Sequence, residues 1–190
     1  MKMLVTTWFL SLALLLYPSV PTASAATKEE KRAEIRAMSK DILARLYKAQ
    51  PSAKRAIEGA AGYAAFSNFG MKIFLVGGGS GSGLAVNNQT GKETFMKMVE
   101  LQAGLGLGAK KFQVIFLFEN QKVLNSFIDQ GWEFGGQTTA SAKYKDTGGA
   151  LQGAISVSPG VWMYQLTESG LAAEITAKGT KYYKNDELSR

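Results

Sequence analysis

The stretch FLVGGGSGSGLAV, from Phe74 to Val86, places five glycines within seven residues between two apolar runs. Such a run is typical either of a loop that binds a phosphate or of strands that bend sharply or pack closely. A phosphate loop of the Walker type needs Lys-Ser or Lys-Thr after its last glycine, and here Leu84-Ala85-Val86 follows instead. We therefore interpret the run as a sharply bent hairpin in a glycine-rich sheet. Its glycines are Gly77, Gly78, Gly79, Gly81 and Gly83.

A dinucleotide-binding fingerprint is also missing around these glycines. Read from Gly77, the third glycine that the fingerprint requires falls on Ser82. A looser Gly-x-Gly-x-x-Ala occurs at Gly104, Gly106 and Ala109, but it leads into another predicted strand. A pyrophosphate would need a helix N-terminus at that point. The chain is therefore not expected to bind a nucleotide.

Most of the chain after Gly59 is predicted to form strands. Mainly apolar residues alternate with mainly polar residues or glycines in three segments. These segments run from Glu100 to Lys110, from Trp132 to Lys145 and from Leu171 to Ala177. The segment QVIFLF, Gln113 to Phe118, is instead a continuous apolar run. Such a run is expected of a central strand that is covered on both faces.

Three helices are predicted to accompany the strands. The glycine-free segment from Lys28 to Ala49 has apolar residues at helical spacing and ends before Pro51, and a second short helix follows from Ser52 to Glu58. Asn120 can cap a third helix, which Gly131 can close. The apolar stripe of this third helix consists of Val123, Leu124, Phe127 and Ile128. The whole pattern predicts an α+β fold: a glycine-rich antiparallel curved sheet or partly closed β-barrel with an N-terminal amphipathic helix and one or two short covering helices.

The first 25 residues have the pattern of a secretory signal peptide. Lys2 precedes an apolar run from Leu4 to Leu16, and the small-residue site Ala23-Ser24-Ala25 follows. The alternative is a transmembrane anchor, which needs about 20 apolar residues, more than this run supplies. Cleavage would leave residues 26–190 as a single domain, with a helical arm at 28–59 and a mainly β part at 60–185. Because the chain has no cysteine to carry a lipid anchor, we expect a periplasmic protein, soluble or peripheral at a membrane surface.

Two residue types that carry much of enzyme chemistry are missing. The chain has no histidine and no cysteine, which supply most general bases at neutral pH, most thiol nucleophiles and most zinc ligands. Its 15 acidic residues show no spacing that pairs a general acid with a base, and no Gly-x-Ser-x-Gly elbow presents a serine. We expect no enzymatic activity, no metal and no cofactor.

Positive charge is concentrated in the first predicted helix. The whole chain has a formal net charge of +7, and most of the excess lies between Lys28 and Arg55. Two interpretations remain open: a lid whose basic residues face water, or a helix that touches an anionic membrane surface. The basic residues around its polar face are Lys31, Arg32, Arg36, Lys40 and Lys48. A second candidate patch consists of Lys72, Lys110 and Lys111.

The order of these pieces resembles a known domain. Four runs carry the resemblance: AIEGAAGYAAFSNFGMKIFLVGGGSGSGLAV, ELQAGLGLGAKKFQVIFLFEN, WEFGGQTTASAKYK and GVWMYQLTESGLAAEITAKGTKYY. Together they are similar to the SYLF domain family of lipid-binding domains, over a span from Ala33 to Leu188. The resemblance implies that a bacterial, exported member binds phospholipid through basic residues and an amphipathic N-terminal helix. The proline usual near Phe66-Ser67-Asn68 is missing, so the resemblance does not imply which lipid is preferred.

These observations predict a non-enzymatic phospholipid-binding protein of the bacterial cell envelope, in which basic residues bind anionic headgroups. The alternative is a structural or protein-interaction module of the periplasm with no lipid ligand. Exposed aromatic side chains would favour that alternative. The aromatic residues concerned are Trp132, Trp162, Tyr164, Tyr182 and Tyr183. Although the isoelectric point is about 9.5, an exported chain without interleaved basic and aromatic residues is not expected to bind nucleic acid.

Overall fold

The structure is a computed structural model that describes residues 26–68, 80–100, 112–134, 149–172 and 179–190. The predicted signal peptide lies outside the described residues, as do Gly77 to Gly79, Lys72, Lys110 and Lys111. The alternating segments at 101–110, 135–145 and 173–177 lie outside them as well. The described part is α+β, with helices packed on a curved antiparallel sheet, which confirms the predicted fold class.

Three helices and nine strands make up the described fold. The helices are α1 (Lys28–Ala49), α2 (Ala53–Gly59) and α3 (Gln121–Gln130). The strands are β1 (Gly62–Ser67), β2 (Ser80–Asn87), β3 (Glu93–Glu100), β4 (Gln113–Phe118), β5 (Trp132–Phe134), β6 (Ile155–Ser158), β7 (Val161–Thr167), β8 (Gly170–Leu171) and β9 (Thr180–Lys184). α2 begins and ends one residue later than predicted, because Ser52 takes the position that precedes the first helical residue.

All described strands belong to one antiparallel sheet, in the order β5-β9-β3-β2-β1-β4-β7-β6, with β8 paired to β7. The sheet curls part of the way towards a barrel. β4 lies between β1 and β7, and all six of its residues are buried. The prediction that QVIFLF is a central strand covered on both faces is therefore confirmed.

One face of the sheet is packed with aromatic rings beneath α3. Phe66 of β1 meets Tyr182 of β9 edge-on, with 4.7 Å between ring centroids, and Phe116 of β4 lies 5.7 Å from Phe127 of α3. Trp132 of β5 completes the group at 5.4 Å from Phe116. Interlocked rings bury a large apolar area and fix one another's orientation. This aromatic cluster therefore ties four strands to α3.

α3 begins and ends where the sequence predicts. The Asn120 side chain accepts a hydrogen bond from the Val123 N–H at 3.0 Å, which caps the first turn. Gly131 follows the last turn with a φ of 70°, a conformation that other residues rarely adopt. Leu124 and Phe127 are buried. The predicted cap, closing glycine and apolar stripe are therefore all confirmed.

The opposite face of the sheet is covered by α1 and α2. Ile42 and Leu46 of α1 and Ile57 of α2 are buried in a second cluster, which includes Ile115 and Tyr164 of the sheet. Successive residues of a strand point to opposite faces, so each central strand contributes to both clusters. The sheet therefore fixes α1 and α3 on its two sides.

Gly81 and Gly83 lie inside β2, which pairs with β1 on one side and β3 on the other. These two glycines therefore belong to a strand of the antiparallel β1–β2 pair, and the predicted bend at Gly77 to Gly79 lies outside the described residues. A Cβ atom at Gly83 would lie 2.1 Å from the ring of Phe66, its partner on β1. A Cβ at Gly81 would lie 2.5 Å from the main-chain oxygen of Ser67. Both positions need glycine because β1 occupies the space of a side chain.

We expect Gly83→Ala to destabilise the protein by about 2 to 3 kcal/mol, because it forces extra volume into a packed core. The same substitution at Gly59, where an added Cβ would meet nothing within 4 Å, should change the free energy of unfolding by less than about 1 kcal/mol. Urea unfolding of both variants measures the two values. Equal changes in the two variants would contradict the packing role of Gly83.

Candidate anion-binding site

α1 carries the basic residues that are predicted to bind lipid, and a capping box fixes its start. The Thr27 N–H donates to the Glu30 carboxylate at 2.6 Å, and Thr27 Oγ1 accepts from the Glu30 N–H at 3.2 Å. The N–H groups of Thr27 and Glu30, which have no partner within the helix, are thereby both hydrogen-bonded. The helix ends before Pro51, which cannot continue it. The predicted span from Lys28 to Ala49 is confirmed.

α1 crosses the sheet on a narrow buried stripe. Its N-terminal half packs through Ile35 on Leu84 of β2 and Phe95 of β3. Its C-terminal half packs through Ile42 and Leu46 on the second cluster. Together with the buried Ser39, these residues recur every three or four positions and so share one side of the helix. α1 therefore lies on the domain as the lid interpretation expects, and its other sides reach water.

The five basic residues predicted around the polar face of α1 divide into two groups. Arg32 and Arg36 lie on the flank of α1 that meets β3. Each stands three residues before a buried residue, Ile35 or Ser39, and such positions are neighbours on a helix. The prediction that Arg32 lies on the exposed polar face is therefore wrong, because its side chain is largely buried, whereas Arg36 contacts β3 but is exposed as predicted. The other three members, Lys31, Lys40 and Lys48, are all exposed, and Lys40 lies one turn beyond Arg36.

The exposed side of α1 is not a continuous basic surface. Carboxylates and small residues stand between its lysines, and opposite charges one turn apart on a helix attract each other. The exposed carboxylates are Glu29, Glu30, Glu34 and Asp41. The exposed small residues are Ala33, Ala37 and Ala44. The charge of the lysines is therefore partly offset on the helix itself.

Arg32 uses all three of its guanidinium nitrogens within the fold. Nη1 pairs with the carboxylate of Glu29, one turn earlier in α1. Nε donates to the main-chain oxygen of Leu188 at 2.8 Å, and Nη2 donates to the main-chain oxygen of Arg190. The side chain is 20% exposed. Arg32 therefore joins the start of α1 to the last residues of the chain.

Arg36 is the more accessible of the two arginines, with 45% of its side chain exposed. Its Nε donates to Glu93 at 2.7 Å. Its guanidinium carbon lies 5.1 Å from the centroid of the Phe95 ring, and that of Arg32 lies 5.8 Å from the same centroid. Both cations are within the range of attraction by the π face. Two guanidinium groups thus share one aromatic ring, and Glu29 and Glu93 offset their mutual repulsion.

A surface groove of about 290 Å³ lies beside the two arginines, and we call it the arginine groove. A guanidinium group presents a flat fork of N–H donors that matches the oxygens of a phosphate or a carboxylate. The groove is therefore a candidate site for an anion. Its lining includes Arg32, Arg36, Glu93, Phe95, Ser189 and Arg190.

Arg45 is a basic residue that sequence reasoning missed. Its Nη1 donates to Oε1 of Gln113 at 2.6 Å, and its Nη2 donates to the main-chain oxygen of Thr167 at 2.8 Å. It thereby ties the C-terminal half of α1 to β4 and β7. The sequence pattern that could have predicted these hydrogen bonds is the position of Arg45 between two buried apolar residues, Ile42 and Leu46. A charged side chain that is partly buried at such a position needs hydrogen-bond acceptors.

The aromatic residues that would form a partner surface belong largely to the core. Tyr164 and Tyr182 are fully buried, and burial raises the pKa of Tyr164 to about 12. Trp132 packs against the aromatic cluster, and Trp162 packs against the second cluster and donates its indole N–H to Glu119 at 2.6 Å. Tyr183 is half-buried. These positions do not favour the interaction-module alternative.

The described part of the chain bears on metal binding and on membrane crossing. No group of three or more His, Cys, Asp or Glu side chains there is placed to hold a metal ion. None of the helices that the structure describes is both long and apolar enough to cross a membrane.

Among curated proteins, the chain is similar to Beta cell expansion factor A of Aeromonas veronii, with 33% identity over 163 residues. The match covers 86% of this chain and 60% of that protein. The chain thus spans about three fifths of the length of the relative. No protein-family model matches the chain.

We expect the capping box of α1 to weaken in acid. The Thr27 N–H and hydroxyl lower the pKa of Glu30. The carboxylate therefore stabilises the fold fully above its ordinary pKa, and this contribution is lost as the pH falls through the lowered value. The free energy of unfolding of the wild type should exceed that of Glu30→Ala at about pH 6 and approach it at about pH 2. A difference that stays constant over this range would contradict the role of the carboxylate.

Proposed function

We propose that the chain is a non-enzymatic phospholipid-binding domain of the bacterial cell envelope, exported to the periplasm. It binds anionic headgroups at the arginine groove and at the neighbouring lysines of α1. The observation that carries the proposal is the pair of guanidinium groups beside one open groove, with Arg36 45% exposed. The resemblance to the SYLF domain family supports the same ligand class.

The chemistry of the arginine groove suits a phosphate monoester or diester. Guanidinium groups bind phosphate with two parallel hydrogen bonds, and these charge-assisted bonds are stronger than those to neutral acceptors. Arg36 and Arg32 are held in place by Phe95, so less conformational entropy is lost when a ligand binds. The groove therefore offers an organised pair of cations at the surface.

The lysines of α1 supply a second, more diffuse attraction. Lys31 is exposed within the same turn as Arg32, and Lys40 is exposed one turn beyond Arg36. Basic residues near an anionic membrane contribute about 1 kcal/mol each, within a screening length of about 10 Å. A membrane that approaches the flank of Arg36 would meet Lys40 and the groove together. Lys31, nine residues before Lys40 and therefore on the opposite side of the helix, would add only long-range attraction.

Packing favours binding of the headgroup at the surface over enclosure of a whole lipid. Among the described residues, one face of the sheet is filled by the aromatic cluster and the other is covered by α1 and α2. The name of Beta cell expansion factor A gives no ligand. The proposal therefore rests on the arginine groove and on the SYLF resemblance.

Flotation with lipid vesicles tests the proposal. The protein should bind vesicles that contain phosphatidylglycerol at low salt, and should not bind vesicles of phosphatidylcholine alone. Replacing Lys31, Arg36 and Lys40 with glutamine should lower the affinity by about 100-fold, because three charges at about 1 kcal/mol each are lost. High salt should weaken the binding of the wild type.

A matched variant controls for net charge. Replacing the exposed Lys54, Lys122 and Lys181 with glutamine removes the same charge from other surfaces, and should lower the affinity less than about tenfold. Two results would contradict the proposal: no binding of the wild type to anionic vesicles at low salt, or an equal loss of vesicle affinity in the two triple variants.

A further inference from the structure

Residues 185–190 lie against the arginine groove and are attached to it at two places. The Asn185 N–H and the Ser189 hydroxyl both donate to the main-chain oxygen of Phe95, at 2.8 and 2.9 Å. Arg32 donates to the main-chain oxygens of Leu188 and Arg190. The segment therefore spans the distance between β3 and the first turns of α1.

The segment occupies the side of Arg32 that would bind a phosphate. Nε and Nη2 of an arginine form one fork of parallel N–H donors, which donate to two oxygens of a phosphate or carboxylate. In this structure the oxygens of Leu188 and Arg190 fill that fork, while Nη1 pairs with Glu29. Two main-chain oxygens thus stand where two phosphate oxygens would bind.

We infer that residues 185–190 are an autoinhibitory segment, which competes with the lipid for Arg32. The segment must leave Arg32 before both arginines can bind an anionic phospholipid headgroup in the arginine groove. The inference rests on the proposed function. The main-chain oxygen of Leu188 is a neutral carbonyl, a weaker acceptor for a guanidinium than a charged phosphate, so a membrane surface can displace it. Arg36, which is more exposed, is then the first contact and Arg32 the second.

The segment is held by few interactions and can open without unfolding the domain. Its buried apolar side chain is Leu188, 5% exposed, which packs with Ile35, Leu84 and Phe95. The remaining attachments include the hydrogen bonds described above and an ion pair between Glu187 and Lys97 of β3 at 3.9 Å. Segments with little buried apolar surface open locally at a free energy far below that of global unfolding. Leu188 is therefore the residue whose truncation should release the segment.

Vesicle binding of Leu188→Ala tests the inference. We expect this variant to bind phosphatidylglycerol vesicles at least about fivefold more tightly than the wild type, because the competitor for Arg32 is weakened. Adding Arg32→Gln to Leu188→Ala should abolish the gain. Hydrogen exchange followed by mass spectrometry should be faster in residues 185–190 of Leu188→Ala than in the wild type.

Leu171→Ala is the matched control. Leu171 is a half-buried leucine that packs on the second cluster, near the C-terminal half of α1, so the same truncation leaves residues 185–190 in place. Its vesicle affinity should equal that of the wild type. An increase as large as that of Leu188→Ala would show that general loosening of the fold is responsible, and would contradict the inference.

The outcomes separate the inference from the proposed function. If the wild type and Leu188→Ala bind anionic vesicles with equal affinity, the autoinhibitory role is wrong and lipid binding stands. If neither protein binds at low salt, the proposed function itself fails. Tighter binding by Leu188→Ala that survives the addition of Arg32→Gln would also contradict the inference, because the gain would then not come from Arg32.

Discussion

The contact between the ring of Phe66 and the bare backbone of Gly83 is the constraint on which the rest of the structure depends. β1 and β2 are paired at this point, and an added Cβ would lie 2.1 Å from the ring. With its ring at that place, Phe66 meets Phe116, Phe127 and Tyr182 and so organises the cluster beneath α3. On the opposite face, the next residues of the same strands support α1. The position of the arginine groove therefore follows from how closely β1 and β2 approach each other.

Local patterns predicted the elements well, because their causes are local. The capped and closed α3, the span of α1 and the buried strand QVIFLF each depend on residues within one turn or one strand. The role of Gly83 depends on Phe66, which lies on another strand. The contact from Arg32 to Leu188 joins residues 156 positions apart. The spacing of residues along α1 cannot reveal a partner so distant in sequence, so both arginines were predicted to face water.

The contacts of Phe95 and two carboxylates hold the guanidinium groups of the proposed site in place. Phe95 holds two guanidinium groups at the edge of α1, and Glu29 and Glu93 keep that pair of charges together in the absence of a ligand. The lysines on the exposed side of α1 are mixed with carboxylates, so they contribute long-range attraction more than a defined site. α1 is thus packed as the lid interpretation expects, and one of its flanks carries the proposed anion site.

A double-mutant cycle of Phe66→Leu and Gly83→Ala tests most directly whether this contact sets the sheet. If the ring excludes a side chain at Gly83, the smaller leucine relieves the clash. The double variant should then be more stable than the sum of the single changes predicts, by at least about 1 kcal/mol of unfolding free energy. Changes that add within about 0.5 kcal/mol would contradict the account, because the two residues would then act independently.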